Sequence, residues 1–120
     1  MKTVLTTLVL FLALSFSFGQ NIAIVKSAKD FAELKENGKM SIQLPSNFTA
    51  DQVSNNAKYY GLYFTVAFDE KSKVATINMT TNDERSRAII VRFLAASEIK
   101  EVKVGEELMN RDLLYEKYLR

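Results

Sequence analysis

The order of two hydrophobic periodicities between residues 39 and 104 limits the fold of this chain more than any other feature. Apolar and polar residues alternate within residues 40–44, 63–68, 74–79 and 101–104, as they do in half-buried strands. Stretches with helical spacing separate the first segment from the second and the third from the fourth. The sequence therefore predicts the order strand, helix, strand, strand, helix, strand.

Capping signals indicate where the two helices begin. Thr49 and Gln52 have the spacing of a capping box, and Thr81 and Glu84 repeat it. Pro45 ends the strand that precedes the first helix. We therefore predict that the stretch "QLPSNFTAD", residues 43–51, starts a helix and binds no metal.

This element order predicts an α+β fold of the ferredoxin-like βαββαβ type for residues 39–104. Its four-stranded antiparallel sheet would carry both helices on one face, and strand 40–44 would pair with strands 74–79 and 101–104. Residues 20–38 are predicted to be an N-terminal extension, with a short strand around Ile22, Ile24 and Val25 and a helix that ends at Gly38. Residues 105–120 are predicted to be a C-terminal helical tail, capped by Asn110.

The first nineteen residues predict the compartment. Lys2 is followed by an apolar run and by the small-residue pattern Ser17-Phe18-Gly19, which is typical of a cleaved secretory signal peptide. The alternative is an uncleaved membrane anchor, but the run is shorter than the roughly 20 residues that a spanning helix needs. We expect a periplasmic or secreted bacterial protein that begins at Gln20, contacts no membrane after cleavage and binds no nucleic acid.

The chain has no cysteine and no histidine. This composition excludes disulfides, thiolate nucleophiles, imidazole bases and the usual zinc sites. Met40 and Met79 fall on the core-facing positions of their predicted strands, which favours packing over metal binding. The paired carboxylates, Asp69-Glu70, Asp83-Glu84 and Glu106-Glu107, lie in predicted turns or at helix starts, where acidic residues are common. We therefore predict a protein that is not an enzyme and has no cofactor and no metal.

Two sets of residues remain as candidate contacts. The first is the outward face of the predicted sheet, where small polar side chains predominate: Gln43, Tyr63, Thr65, Thr76, Asn78 and Lys103. The second is an anion contact by Arg85, Arg87 and Arg92 at the start of the second helix, for which the alternative is a solvated, charge-paired surface.

Residues 39–104 resemble a heavy-metal-associated domain in the length and order of their elements. That family binds its metal through an M-x-C-x-x-C motif between the first strand and the first helix. The corresponding loop here, "LPSNFTADQ", has no cysteine, so the resemblance implies a fold and carries no metal ligand over to this chain.

The sequence thus favours a non-catalytic exported domain that acts through contacts with a protein or a small ligand. One alternative is a protease-inhibitor or propeptide-like module that acts through a terminal tail. A degenerate metal-handling domain is a further, less favoured alternative, because the thiolates are missing.

Overall fold

The computed structural model describes residues 21–120 of the chain. The signal peptide predicted for residues 1–19 and the predicted cleavage before Gln20 lie outside this range. The strands are β1 Ile22–Val25, β2 Lys39–Gln43, β3 Phe64–Asp69, β4 Val74–Met79, β5 Glu101–Val104 and β6 Glu107–Asn110. The helices are α1 Lys29–Asn37, α2 Ala50–Ala57, α3 Glu84–Ala96 and α4 Arg111–Leu114; a 3-10 turn, Lys58–Tyr60, follows α2, and a π-helical turn, Tyr115–Leu119, follows α4.

The six strands form one mixed sheet in the order β3-β4-β2-β1-β5-β6. The α+β class is consistent with this arrangement, but the predicted four-stranded antiparallel ferredoxin-like sheet is wrong. The antiparallel pairings of β3 with β4 and of β2 with β4 are as predicted. The predicted pairing of strand 40–44 with strand 101–104 does not occur, because β1 lies between them.

Strand β1 is therefore part of the sheet and not a peripheral extension. It runs parallel to β5 over four residue pairs, from Ile22 opposite Glu101 to Val25 opposite Val104. Ala23 and Val25 have no exposed surface, because they face the core, whereas Ile24 on the opposite side is 42% exposed. A short segment near the N-terminus thus lies in the middle of the sheet.

A hairpin adds the sixth strand and corrects the predicted helical tail. Val104 pairs with Glu107, so Gly105 and Glu106 form a two-residue turn. Gly105 has a φ of +59°, which suits the first central position of a hairpin turn and disfavours residues with a side chain. The C-terminal helix begins only after β6, where the side chain of Asn110 accepts a hydrogen bond from the Leu113 N–H at 2.8 Å.

Side chains cap the starts of three helices, and the caps of α2 by Thr49 and of α4 by Asn110 are as predicted. The Thr49 hydroxyl accepts a hydrogen bond from the Gln52 N–H at 3.2 Å, which confirms this cap. Helix α3, however, is capped by Asp83, which accepts from the Ser86 N–H at 2.7 Å, and not by Thr81. Asn82 lies between these two residues. Its side-chain amide donates to the Leu34 and Lys35 carbonyl oxygens in the last turn of α1, which holds Asn82 outside α3.

The helices and the inner face of the sheet enclose one hydrophobic core. Most inner positions of the strands are buried as the alternation predicted, and so are Ile89, Ile90, Phe93 and Leu94 of α3. The inner positions Val66, Phe68 and Met79, in β3 and β4, are partly buried against the core. The C-terminal turn closes the core at one side: the ring of Tyr118 stacks on Phe31 of α1 at 4.8 Å, and Leu119 is fully buried. Within residues 21–120, no helix has both the length and the apolar character that crossing a bilayer requires.

Candidate binding face and groove

The outer face of the sheet carries five of the six residues that were predicted as a contact surface. The strand register sets Thr65 beside Asn78 and places Thr76 next to Ser41, whose hydroxyl lies 3.4 Å from that of Thr76. Gln43 and Lys103 share this face but are separated by β1. The sixth residue, Tyr63, precedes β3 and is half-buried.

Insertion of β1 makes this face more apolar than the sequence predicted. Ile24 lies between Gln43 and Lys103, and Leu108 of β6 lies on the other side of Lys103. Ile24 is 42% exposed and Leu108 is 49% exposed. Because neighbouring strands are about 4.8 Å apart, the two apolar side chains flank Lys103 across about 10 Å of sheet.

A groove of about 520 Å³ opens on this face between β2 and α1. It exists because β1 meets β2 at one residue pair, Ile24 with Gln43, after which the chain turns into α1. One wall is β2 itself, and the other carries polar side chains of α1. Its lining comprises Ile24, Lys26, Asp30, Glu33, Asn37, Val74 and all of β2 from Lys39 to Gln43.

The backbone of β2 presents hydrogen-bonding groups to this groove. The bonds from the Met79 N–H to the Gly38 carbonyl and from the Leu44 N–H to the Lys73 carbonyl show that the even-numbered residues of this stretch bond to β4. Since the direction of these groups alternates along a strand, the N–H and C=O of Ser41 point away from β4, towards the groove. Among the described residues, no strand pairs with Ser41 on that side.

The α1 wall of the groove is acidic. Asp30, Glu33 and Asn37 are spaced by three and four residues, so they share one side of the helix. Within residues 21–120 the ion pairs involve Glu84, Glu107 and Glu116, and neither groove carboxylate takes part in one. Lys26 and Lys39 line the same groove, so its charge as a whole is balanced, but neither lysine forms an ion pair with Asp30 or Glu33.

The three candidate arginines are not brought together into one site. The side chain of Arg87 is committed to the protein: its Nε donates to the Leu119 carbonyl at 3.0 Å, and its guanidinium also donates to Asn82. Arg85 and Arg92 are exposed and lie seven residues apart, which places them on the same side of α3. Arg87 is about 200° from Arg85 around the helix axis, so it lies on the opposite side.

At the start of α3, the residue whose pKa is shifted is Asp83, the N-cap of the helix. The hydrogen bond from the Ser86 N–H, assisted by the Ser86 hydroxyl and by the charges of Arg87 and Arg85, holds the pKa of Asp83 below its ordinary value of 3.8. This carboxylate therefore already satisfies the helix terminus where an anion would otherwise bind.

The loop of residues 45–50 is held by contacts that suit a helix start. The Lys73 ammonium donates to the Phe48 carbonyl at 2.7 Å, and the Glu70 carboxylate accepts from the Ala50 N–H at 2.6 Å. Pro45 and Phe48 are buried. Across residues 21–120, no three histidine, cysteine, aspartate or glutamate side chains group closely enough to hold a metal ion.

Comparison of the chain with protein-family models, curated proteins and solved structures finds no match.

Proposed function

We propose that this chain is a non-catalytic exported domain that acts by binding a protein or a small ligand on the outer face of its sheet. The observation that carries this proposal is that the helices pack their apolar residues into one core, on the inner face, and leave the outer face accessible. That face combines hydrogen-bonding side chains with exposed Ile24 and Leu108.

The chemistry of the chain supports a binding role rather than catalysis. General acid–base and nucleophilic catalysis need a group whose environment prepares it, and the most versatile of these groups, histidine and cysteine, are missing from the sequence. The ionisable side chains that line the groove are exposed or half-buried.

The structure of the C-terminal segment does not support the alternative of a protease-inhibitor or propeptide-like module that acts through a terminal tail. Its last turn is helical, Leu119 is buried, and Arg87 binds the Leu119 carbonyl. An inhibitor of that kind would need this segment to be extended and accessible.

Site-specific cross-linking in the producing cells tests the proposed function. A photoreactive amino acid is placed at Thr65 or Thr76 on the outer face, and the control position is Arg92, which is exposed on α3. We expect the outer-face positions to cross-link one partner, which mass spectrometry identifies, and the control to give none. A partner that cross-links only through Arg92 would contradict the assignment of the outer face.

A further inference from the structure

We propose that the groove between β2 and α1 binds an extended peptide segment of a protein partner, which adds to β2 as a short strand and places a lysine or arginine beside Asp30 and Glu33. This inference rests on the proposed binding function of the outer face and names the partner's chemistry.

The unpaired backbone of β2 favours an extended peptide over other ligands. A strand edge recognises a peptide through its main-chain N–H and C=O groups, and the Ser41 groups face the groove without a strand partner in the described part of the chain. The groove follows β2 from Lys39, and Ile24 already pairs with Gln43 at its other end, so the free edge accommodates about four residues of extended chain at about 3.3 Å each. Its volume of about 520 Å³ is in the range that ligand pockets have.

The walls of the groove define which side chains the peptide should carry. Successive side chains of an added strand point to opposite sides, so alternate residues would face α1 and the outer surface. A basic residue directed at α1 would meet the carboxylates of Asp30 and Glu33, which form no ion pair within residues 21–120. At the end near β1, the apolar side chains of Ile24 and Val74 suit a β-branched or aromatic residue.

The test begins with a displayed library of random heptapeptides, each flanked by flexible linkers, selected on the full chain as the producing cells release it. We expect the enriched sequences to share a lysine or arginine next to β-branched or aromatic residues. A consensus peptide is then synthesised with blocked termini for binding measurements. The proposal would be overturned if no peptide were enriched above the background obtained with the Glu33→Lys variant, which reverses a charge on the groove wall. It would also be overturned if the enriched peptides lacked a basic residue.

Two variants with the same charge change separate specific binding from general electrostatics. Glu33→Lys reverses a charge on the groove wall, whereas Glu36→Lys makes the same change on the same helix outside the groove. We expect Glu33→Lys to weaken the consensus peptide by about tenfold or more, as the loss of a charged hydrogen bond does, and Glu36→Lys to have an effect of about twofold or less. Equal effects of the two variants would refute a specific contact with the acidic wall.

Amide hydrogen exchange tests the added strand directly. The Ser41 N–H should exchange rapidly in the free protein and slowly with the consensus peptide bound, because the peptide supplies its missing acceptor. A peptide that binds without protecting Ser41 does not extend the sheet, and that result would overturn strand addition. If cross-linking from Thr65 and Thr76 still identifies a partner in that case, the outer face remains the binding surface and only the peptide mode is wrong.

Discussion

Replacing Val25 by threonine should destabilise the protein far more than replacing its neighbour Ile24 by threonine. Val25 is fully buried on the core side of β1 and pairs with Val104, whereas Ile24 is 42% exposed on the other side. Both replacements keep a β-branched side chain, so the strand propensity of the segment changes little. The comparison therefore measures where the two side chains lie.

The expected magnitudes follow from this burial. Val25→Thr replaces a buried methyl group by a hydroxyl, which costs about 1–3 kcal/mol when the hydroxyl leaves water. Ile24→Thr removes one partly solvated methyl group and replaces a second carbon by a hydroxyl that remains in water, so it should cost about 0.5 kcal/mol. A loss of about 2 kcal/mol corresponds to a fall of about 10 °C in the melting temperature of a domain of this size.

Urea denaturation followed by circular dichroism is the assay, with the free energy of unfolding taken from the midpoint and slope. The slopes of the two variants should match that of the unchanged protein, so that the midpoints report stability. Small and equal shifts for both variants would refute the central position of β1, because they are what a peripheral extension would give. A larger effect of Ile24→Thr would mean that the faces of β1 are reversed.

Four further outcomes are expected. Intact mass of the released protein should correspond to a chain that begins at Gln20, whereas a full-length chain retained in the membrane would contradict the signal peptide. Thr49→Ala should lower the free energy of unfolding by about 1 kcal/mol, the usual size of an N-cap loss, and an unchanged urea midpoint would place the start of α2 elsewhere. Because the pKa of Asp83 is lowered in the folded protein, its contribution to stability is present above its ordinary pKa of 3.8 and is lost as the pH falls through the lowered value. Asp83→Asn keeps a good cap but removes this titration, so its unfolding midpoint should fall less between about pH 5 and about pH 2, and an identical acid dependence would contradict the lowered pKa. Calorimetric titration with Cu(I) and Zn(II) should show no stoichiometric binding, and tight binding abolished by changes in residues 45–50 would make that loop a site.

The sequence predicted the strands whose two faces differ in polarity. In β2 and β4 the apolar residues alternate with polar ones, so the core-facing set, including Met40, Ile42 and Ile77, could be recognised and is buried. The helix start at Thr49 was recognisable for a similar reason, since its cap depends on residues within one turn.

The position of β1 could not be read from the same pattern. All four residues of "IAIV" are apolar, and the larger Ile24 faces solvent while the smaller Ala23 faces the core. Hydrophobicity therefore does not distinguish the two faces. The partner of β1 is β5, which is distant in the sequence, so no local turn signal marks the pairing. The groove was missed for the same reason, because it depends on how β1 leaves β2.

Two other errors had signals that were present in the sequence. Gly105 is the first residue of a two-residue hairpin turn, a position that glycine favours, so the Gly105-Glu106 pair indicated β6. At the start of α3, Asp83 competes with Thr81, and aspartate is the better N-cap residue.

The pairing of β1 with β5 also constrains the order in which the protein can fold. Strands β2, β3 and β4 pair within one contiguous stretch of the chain, and β5 and β6 form a local hairpin. Contact between Ile22 and Glu101, by contrast, closes a loop of about 80 residues, and long closures of this kind slow folding. A chain that emerges N-terminus first must therefore hold Ile22–Val25 without its parallel partner until Glu101–Val104 has followed, so this pairing cannot form before most of the chain has been made.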